Sequence, residues 1–226
     1  MSTTSERRLA DRSEAWSSGP YAEALHCRSA DVTLCDGEGW SFPLDVDRWS
    51  GRADTADRAV LERCAGRVLD VGCGAGRLVE ALARRGHAVL GIDVSPAAVI
   101  ATVCRGGHAR SGSVFGPVTG EGTWGTALLI DGNIGIGGDP RRLLRRVHDL
   151  VRPGGLLIVE TSPREVDERR RVRIHIGHHS VGPVFPWATV GSGALVDHGR
   201  LSGWAPVEQW TSLLGERHFA VLRACA

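Results

Sequence analysis

Three short apolar runs, each followed by a segment of helical spacing, constrain this chain more than any other feature. They are Arg67–Val71, Ala88–Ile92 and Thr126–Ile130; a fourth run, Leu156–Glu160, follows the last helix and the turn Pro153-Gly154-Gly155. A strand that is apolar along nearly its whole length is covered on both faces. Strands alternating with helices then imply a parallel sheet between helical layers. Arg77–Arg85 carries Leu78, Ala81 and Leu82 at helical spacing and stops at Gly86. Ser95-Pro96 is a cap and first-turn signal for a helix through Cys104. Asp139-Pro140 opens a helix to about Val151, with Leu143, Leu144, Val147 and Leu150 on one face.

The flanks are less regular. The stretch up to about Gly66 reads as irregular, closed by a helix at Thr55–Cys64. After Pro163, Arg170–Ile176 alternates like an exposed strand and Phe185–His198 reads as a helix. Val207–Thr211 and Phe219–Arg223 read as an antiparallel pair added at the sheet edge. No linker interrupts the pattern, so residues 1–226 are expected to form one domain, a cap or lid over 1–66 and a core over 67–226.

Composition narrows the function classes. The chain has 226 residues, enough to bury about 70% of its unfolded surface without disulfide or metal staples. A net charge of +1 gives no reason to expect nucleic acid or a membrane surface as partner. All 27 basic residues are Arg, which excludes a P-loop lysine and Schiff-base chemistry. The six cysteines form no C-x-x-C pair and read as reduced thiols. Met1–Trp16 is polar and lacks the apolar core of a signal peptide. A cytoplasmic location is expected. Oligomeric state, monomer or homodimer, is left open.

The strongest motif is Leu69-Asp70-Val71-Gly72-Cys73-Gly74-Ala75-Gly76-Arg77, at a strand-to-helix turn. Glycines there let the backbone approach a ligand without interference from Cβ. A nucleotide-like ligand then lies across the carboxyl end of the sheet, at a helix N-terminus. A dinucleotide fingerprint would place glycine at 77, where Arg77 stands. Asp93 ends the next strand, 21 residues after Gly72. A carboxylate at that offset can accept both hydroxyls of a ribose.

In these residues the chain resembles the class I S-adenosylmethionine-dependent methyltransferases. LDVGCGAGR is similar to the family's cofactor loop and GIDVS to its ribose-binding strand end; the stretch from Leu128 to Glu160 is similar to its fourth strand, helix and fifth strand. FPLDVDRW, RWSGRADTADRAVLERC and DGNIGIGGDP resemble a group of small actinobacterial methyltransferases. The resemblance implies a Rossmann-like, doubly wound, seven-stranded α/β sheet, mostly parallel with an antiparallel last strand. It implies S-adenosyl-L-methionine as cofactor and S-adenosyl-L-homocysteine as product. Gly72, Cys73, Gly74 and Gly76 would line the methionine part and ribose. Asp70 would help hold the methionine amino group, and Asp93, with Val94 beside it, the ribose hydroxyls. Family members often carry an Asp at the adenine. The matching stretch here is Gly112-Ser113-Val114-Phe115, so Ser113 and Val114 would contact the base, more weakly.

Methyl transfer from a sulfonium is an in-line displacement. The main task is to hold nucleophile and methyl carbon aligned, about 3–3.5 Å apart. A base is needed only where the acceptor must lose a proton. Asp131-Gly132-Asn133 follows the fourth strand, so Asp131 is a candidate contact to cofactor or acceptor and Asn133 a candidate for orienting the acceptor. The same residues are ordinary turn formers. His178 and His179 point to opposite sides of an extended chain, and one of them could act as base. No metal site is expected. Trp40, Trp49 and Trp187, with Tyr21 as a lid, are candidates for an apolar acceptor pocket, the alternative being packing of the cap. Cys73 reads as a buried filler rather than a nucleophile.

The resulting expectation is methyl transfer to a small-molecule acceptor, plausible in secondary metabolism and natural product biosynthesis. Its rivals are the same fold using the cofactor for non-methyl chemistry such as a cyclisation, a catalytically silent cofactor-binding partner protein, and a nicotinamide oxidoreductase.

Overall fold

The computed structural model describes residues 32–213 and 216–225. The chain opens with β1 (Val32–Cys35), β2 (Ser41–Pro43), α1 (Val46–Ser50) and α2 (Thr55–Glu62). Then come β3 (Val68–Val71), α3 (Arg77–Arg84), β4 (Val89–Asp93), α4 (Pro96–Cys104), β5 (Ala109–Ser111) and β6 (Trp124–Leu129). A 3₁₀ turn at Asn133–Gly135 leads into α5 (Pro140–Leu150) and β7 (Val151–Thr161). The remainder is β8 (Asp167–Ile176), β9 (His179–Val190), α6 (Ser192–Arg200), β10 (Trp204–Thr211) and β11 (His218–Ala224).

Seven strands form the main sheet, in the order β10-β11-β7-β6-β3-β4-β5. The pairs β7/β6, β6/β3, β3/β4 and β4/β5 are parallel, while β11 is antiparallel to both its neighbours. This is the doubly wound, mostly parallel sheet expected. Residues of β3 and β6 are buried at every position, as an apolar strand between two helical layers must be. From β3 the chain winds out to β4 and β5 on one side, then returns to β6 and β7 on the other. A crevice opens at such a reversal, outside the carboxyl ends of the strands.

Local chemistry sets the helix starts. Asp139 caps α5 by accepting from the Arg142 N–H at 3.1 Å, and Pro140 fills a first-turn position whose N–H has no helical partner. Leu143, Leu144, Val147 and Leu150 on α5 are completely buried. Each such side chain contributes about 1.5–3 kcal/mol.

A second, antiparallel sheet was not expected. Its order is β2-β1-β8-β9, with Leu34 opposite Ile174 and Arg170 opposite Trp187. Its inner face, including Leu34, Val172, Ile174, Phe185 and Trp187, packs over Ala98 of α4 and forms a separate hydrophobic cluster. Two expectations are corrected. Residues 32–66 are not irregular, because β1 pairs with β2 and also with β8, more than a hundred residues away. Phe185–His198 is not one helix: residues up to Val190 are the end of β9, and α6 starts at Ser192. Pro186 is tolerated there because β9 is an edge strand. Bridges Ile136↔Trp187 and Ser162↔Gly191 tie this sheet to the rim of the main one.

Candidate active site

β3 and β4 end side by side, with Val71 opposite Ile92. Beyond them, under the inner face of the second sheet, lies a cavity of about 400 Å³. Gly72, Gly74 and Gly76 all take positive φ, at 72°, 54° and 82°. A Cβ on Gly72 would stand 2.7 Å from Asn133 Nδ2, so a side chain there fails on space as well as on conformation. Gly72, Cys73 and Gly74 line the cavity. Gly76 does not, which corrects its expected place: it caps α3 in the left-handed region, and its missing Cβ makes room for Thr102. Thr102 in turn donates to the Gly74 carbonyl at 2.9 Å, clamping the loop from α4.

Asp93 is both wall and strut. Its Oδ2 accepts from the Gly74 N–H at 2.9 Å and its Oδ1 from the Ser95 N–H at 2.8 Å. Each oxygen keeps a further lone pair for a ligand hydroxyl. Burial pushes its pKa up, and the N–H donors of Ser95, Gly74 and Val94 pull the other way. Val94, Ser113 and Val114 continue the wall. The Ser113 hydroxyl accepts from the Phe115 N–H at 3.2 Å, which fixes its direction.

Asp70 is different. It is 3% exposed, lines the cavity and has no hydrogen-bond or ion-pair partner among the described residues. Burial, with the negative charges of Asp131 and Asp93 behind it, pushes its pKa up to about 8. A buried carboxyl without a partner is costly, and a cation arriving in the cavity removes that cost.

Asp131 sits at the cavity edge with φ of 61°, the left-handed region that a non-glycine residue occupies only when its surroundings hold it there. Glu160 accepts from its N–H at 2.8 Å. Its carboxylate meets Arg77 Nη2 at 2.7 Å, Arg48 Nη1 at 2.9 Å and Arg217 Nη2 at 3.5 Å. Behind it, Arg77 pairs with the completely buried Asp57, whose other oxygen accepts from Arg217 Nη1 at 2.9 Å. Arg217 also makes two bonds to Glu160, both 2.8 Å. Three guanidinium groups thus hold this carboxylate at the cavity edge. Asp131 lines the cavity, where a contact to cofactor or acceptor was expected of it.

Three further expectations are revised. The Asn133 amide donates to the Val71 and Gly72 carbonyls at 2.9 and 3.0 Å, so it braces the glycine loop rather than reaching for an acceptor. His178 lies in the β8–β9 turn and His179 starts β9; both are exposed and neither lines the cavity. Trp49 and Trp187 line it, whereas Trp40 stacks on Phe42 with centroids 6.2 Å apart and under Arg170. Tyr21 lies outside the described residues. Cys73 is buried against Gly91, and burial raises its thiol pKa well above the usual value, which disfavours a nucleophile. Among the described residues no group of three His, Cys, Asp or Glu side chains could hold a metal ion.

Sequence reading missed Arg77, Asp57, Glu160, Arg217, Phe115 and Arg142. Arg77 directly after the glycines offered a signal, since a charge in the buried first turn of a helix needs a partner. Asp57 and Arg217 are separated by 160 residues, and nothing local pairs them.

A cavity at the switch point of a doubly wound sheet, with one glycine loop and two successive strand-end carboxylates, defines a nucleoside-binding α/β protein. Residues 49–221 match the family model described as "Methyltransferase domain", and the chain belongs to that family. A ubiquinone biosynthesis O-methyltransferase of Pseudomonas paraeruginosa is 35% identical over 131 residues, 54% of this chain and 52% of that protein. The chain thus spans about half the length of the curated relatives it matches. An S-adenosylmethionine-dependent methyltransferase of Bacteroides fragilis, solved with S-adenosyl-L-homocysteine, superposes with a TM-score of 0.75 at 22% identity, covering 95% of this chain and 97% of that one. The 1,6-didemethyltoxoflavin-N1-methyltransferase of Burkholderia thailandensis, solved with 1,6-didemethyltoxoflavin and S-adenosylhomocysteine, gives 0.61 at 19% identity, covering 100% and 92%.

Proposed function

We propose that this chain transfers a methyl group from S-adenosylmethionine to a small-molecule acceptor seated under the second sheet. One observation carries the reading: Asp70, buried and unpartnered, faces the same cavity as Asp93. That donor set fits the cofactor, which offers an ammonium to the first carboxylate and a ribose diol to the second. When bound, the cofactor supplies a methyl group on a sulfonium. Asp70 holds the ammonium, Asp93 the ribose, and Ser113 and Val114 flank the base. Asp131, paired with its arginines, fixes the edge of the site. Trp49, Phe185 and Trp187 exclude water from the acceptor side.

Among the described residues no histidine lines the cavity, and the one carboxylate at the acceptor edge is engaged. Rate enhancement then comes from alignment, and an acceptor that must lose a proton loses it to bulk solvent outside the closed site. A structural neighbour holds the small molecule 1,6-didemethyltoxoflavin, which supports a small-molecule acceptor, with natural-product or secondary metabolism as the setting. No described helix is long and apolar enough to cross a membrane. We read the whole chain as one domain working in the cytoplasm.

The test is mass spectrometry of acceptor pools incubated with methyl-deuterated cofactor. Products heavier by one labelled methyl group support the reading. Cofactor turnover without a methylated product points to other chemistry.

A further inference from the structure

Of the ionic side chains lining the cavity, Asp70, Asp93 and Arg142 have no counter-ion among the described residues, and Arg142 is the one cation of the three. Arg142 stands in the first turn of α5, with its backbone N–H taken by Asp139. Its guanidinium lies 4.3 Å above the ring of Phe115, and no carboxylate among the described residues comes within ion-pair distance. Stacking on a ring holds a cation in place without cancelling its charge. The chain takes pains to build this spot. Gly137 has φ of 78°, and a Cβ on it would stand 2.8 Å from the Phe115 ring; one on Gly138 would stand 2.6 Å from Pro186. These glycines let the loop before α5 pass closely under both, so that Arg142 reaches the cavity rim.

The cofactor does not supply the missing anion. Its single carboxylate is attached to the carbon that bears the ammonium, and the ammonium belongs at Asp70 on β3. Phe115 follows β5, which lies two strands from β3, about 10 Å across the sheet. The nucleoside end that occupies this side carries no charge. Resting on the cofactor reading above, we propose that Arg142 binds the acceptor, and that the acceptor is an aromatic compound with a carboxylate or similar anionic group remote from its methylated atom. Phe185 and Trp187 cover its ring system, and a guanidinium fork suits a planar carboxylate at its far end.

The probes are caffeic acid and 6-hydroxy-2-naphthoic acid, each beside its methyl ester, titrated calorimetrically into the full chain saturated with S-adenosylhomocysteine. Acids should bind at least tenfold more tightly than their esters. Arg142→Gln should reduce the acids to the level of the esters while leaving S-adenosylhomocysteine affinity within twofold; Arg142→Lys should keep part of the preference. Equal binding of acid and ester, binding of neither acid, or a preference that survives in Arg142→Gln would overturn the proposal. So would weaker S-adenosylhomocysteine binding in that variant, which would place Arg142 over the base. Failure of S-adenosylhomocysteine to bind the wild-type chain would instead overturn the cofactor reading, and this inference with it.

Discussion

Replacing Asp70 by asparagine should stabilise the empty protein while weakening its hold on the cofactor. The Asp70 carboxyl sits at about 8 in the folded chain against 3.8 ordinarily, chiefly through burial. Between those two values the folded state keeps a proton that the unfolded state has lost. Stability therefore falls as pH rises through that window, by about 1.4 kcal/mol per unit. At pH 7 the accumulated cost is about 4 kcal/mol. Asparagine has the shape of the protonated acid and no such slope. Asp70→Asn should raise the melting temperature at pH 7 by roughly 8–16 °C, at ~2–4 °C per kcal/mol. The gain should shrink below about 2 kcal/mol at pH 5 and vanish near pH 4. S-adenosylhomocysteine should bind the variant roughly 10- to 150-fold more weakly, the worth of a charge-assisted hydrogen bond. Wild-type binding at pH 7 should release about one proton, read from calorimetry in buffers of different ionisation enthalpy, because the ammonium recruits the charged form of Asp70. Melting curves across pH 4–8 test the argument. A gain independent of pH, or a loss of stability at pH 7, would refute it.

Four further outcomes follow from the same geometry. Arg217→Met strands the buried Asp57 and Glu160 and should cost about 3–5 kcal/mol in urea unfolding; Arg217→Lys should recover part of that. Gly135→Ala drives a methyl group into the Ala188 carbonyl and the Trp187 ring, so turnover should drop at least tenfold while S-adenosylhomocysteine affinity holds; equal losses in both would contradict the assignment of Trp187 to the acceptor side. His178→Ala combined with His179→Ala should leave kcat/KM within twofold, and a larger loss would restore a histidine base. Ser113→Asp should tighten S-adenosylhomocysteine binding several-fold by supplying a stronger acceptor for the adenine amino group; weaker or unchanged affinity would show that Ser113 does not face the base.

The parallel core was legible because its signals are local. Val68–Val71 is apolar enough to be buried on both faces, and Ser95-Pro96 and Asp139-Pro140 mark helix starts within two residues. The second sheet carried no such signal. Val32–Cys35 and Ser41–Pro43 are four and three residues long, and the strand that joins β1 to the rest of the sheet lies far along the chain. Phe185–Val190 reads as helix or strand alike from its apolar spacing, and pairing with β8 decides it. At the site, Asp70 and Asp93 could be placed from the strand ends they terminate. Asn133 and Asp131 could be placed at the site as well, but not the bonds they make there. What an amide or carboxylate does depends on its neighbours, and those neighbours, the Gly72 carbonyl and three arginines, come from three other stretches of chain. Arg142 left no mark in the sequence, because the absence of a counter-ion is visible only in three dimensions.

The central claim is that the cofactor lies across the ends of β3 and β4 with its ribose on Asp93. Calorimetric titration of S-adenosylhomocysteine into the wild-type chain and Asp93→Ala, with NAD as comparison, tests it most directly. Micromolar or tighter binding to wild type, lost at least a hundredfold in Asp93→Ala and absent with NAD, is the expected result. Unchanged affinity in Asp93→Ala, or binding of NAD in place of S-adenosylhomocysteine, would contradict the account.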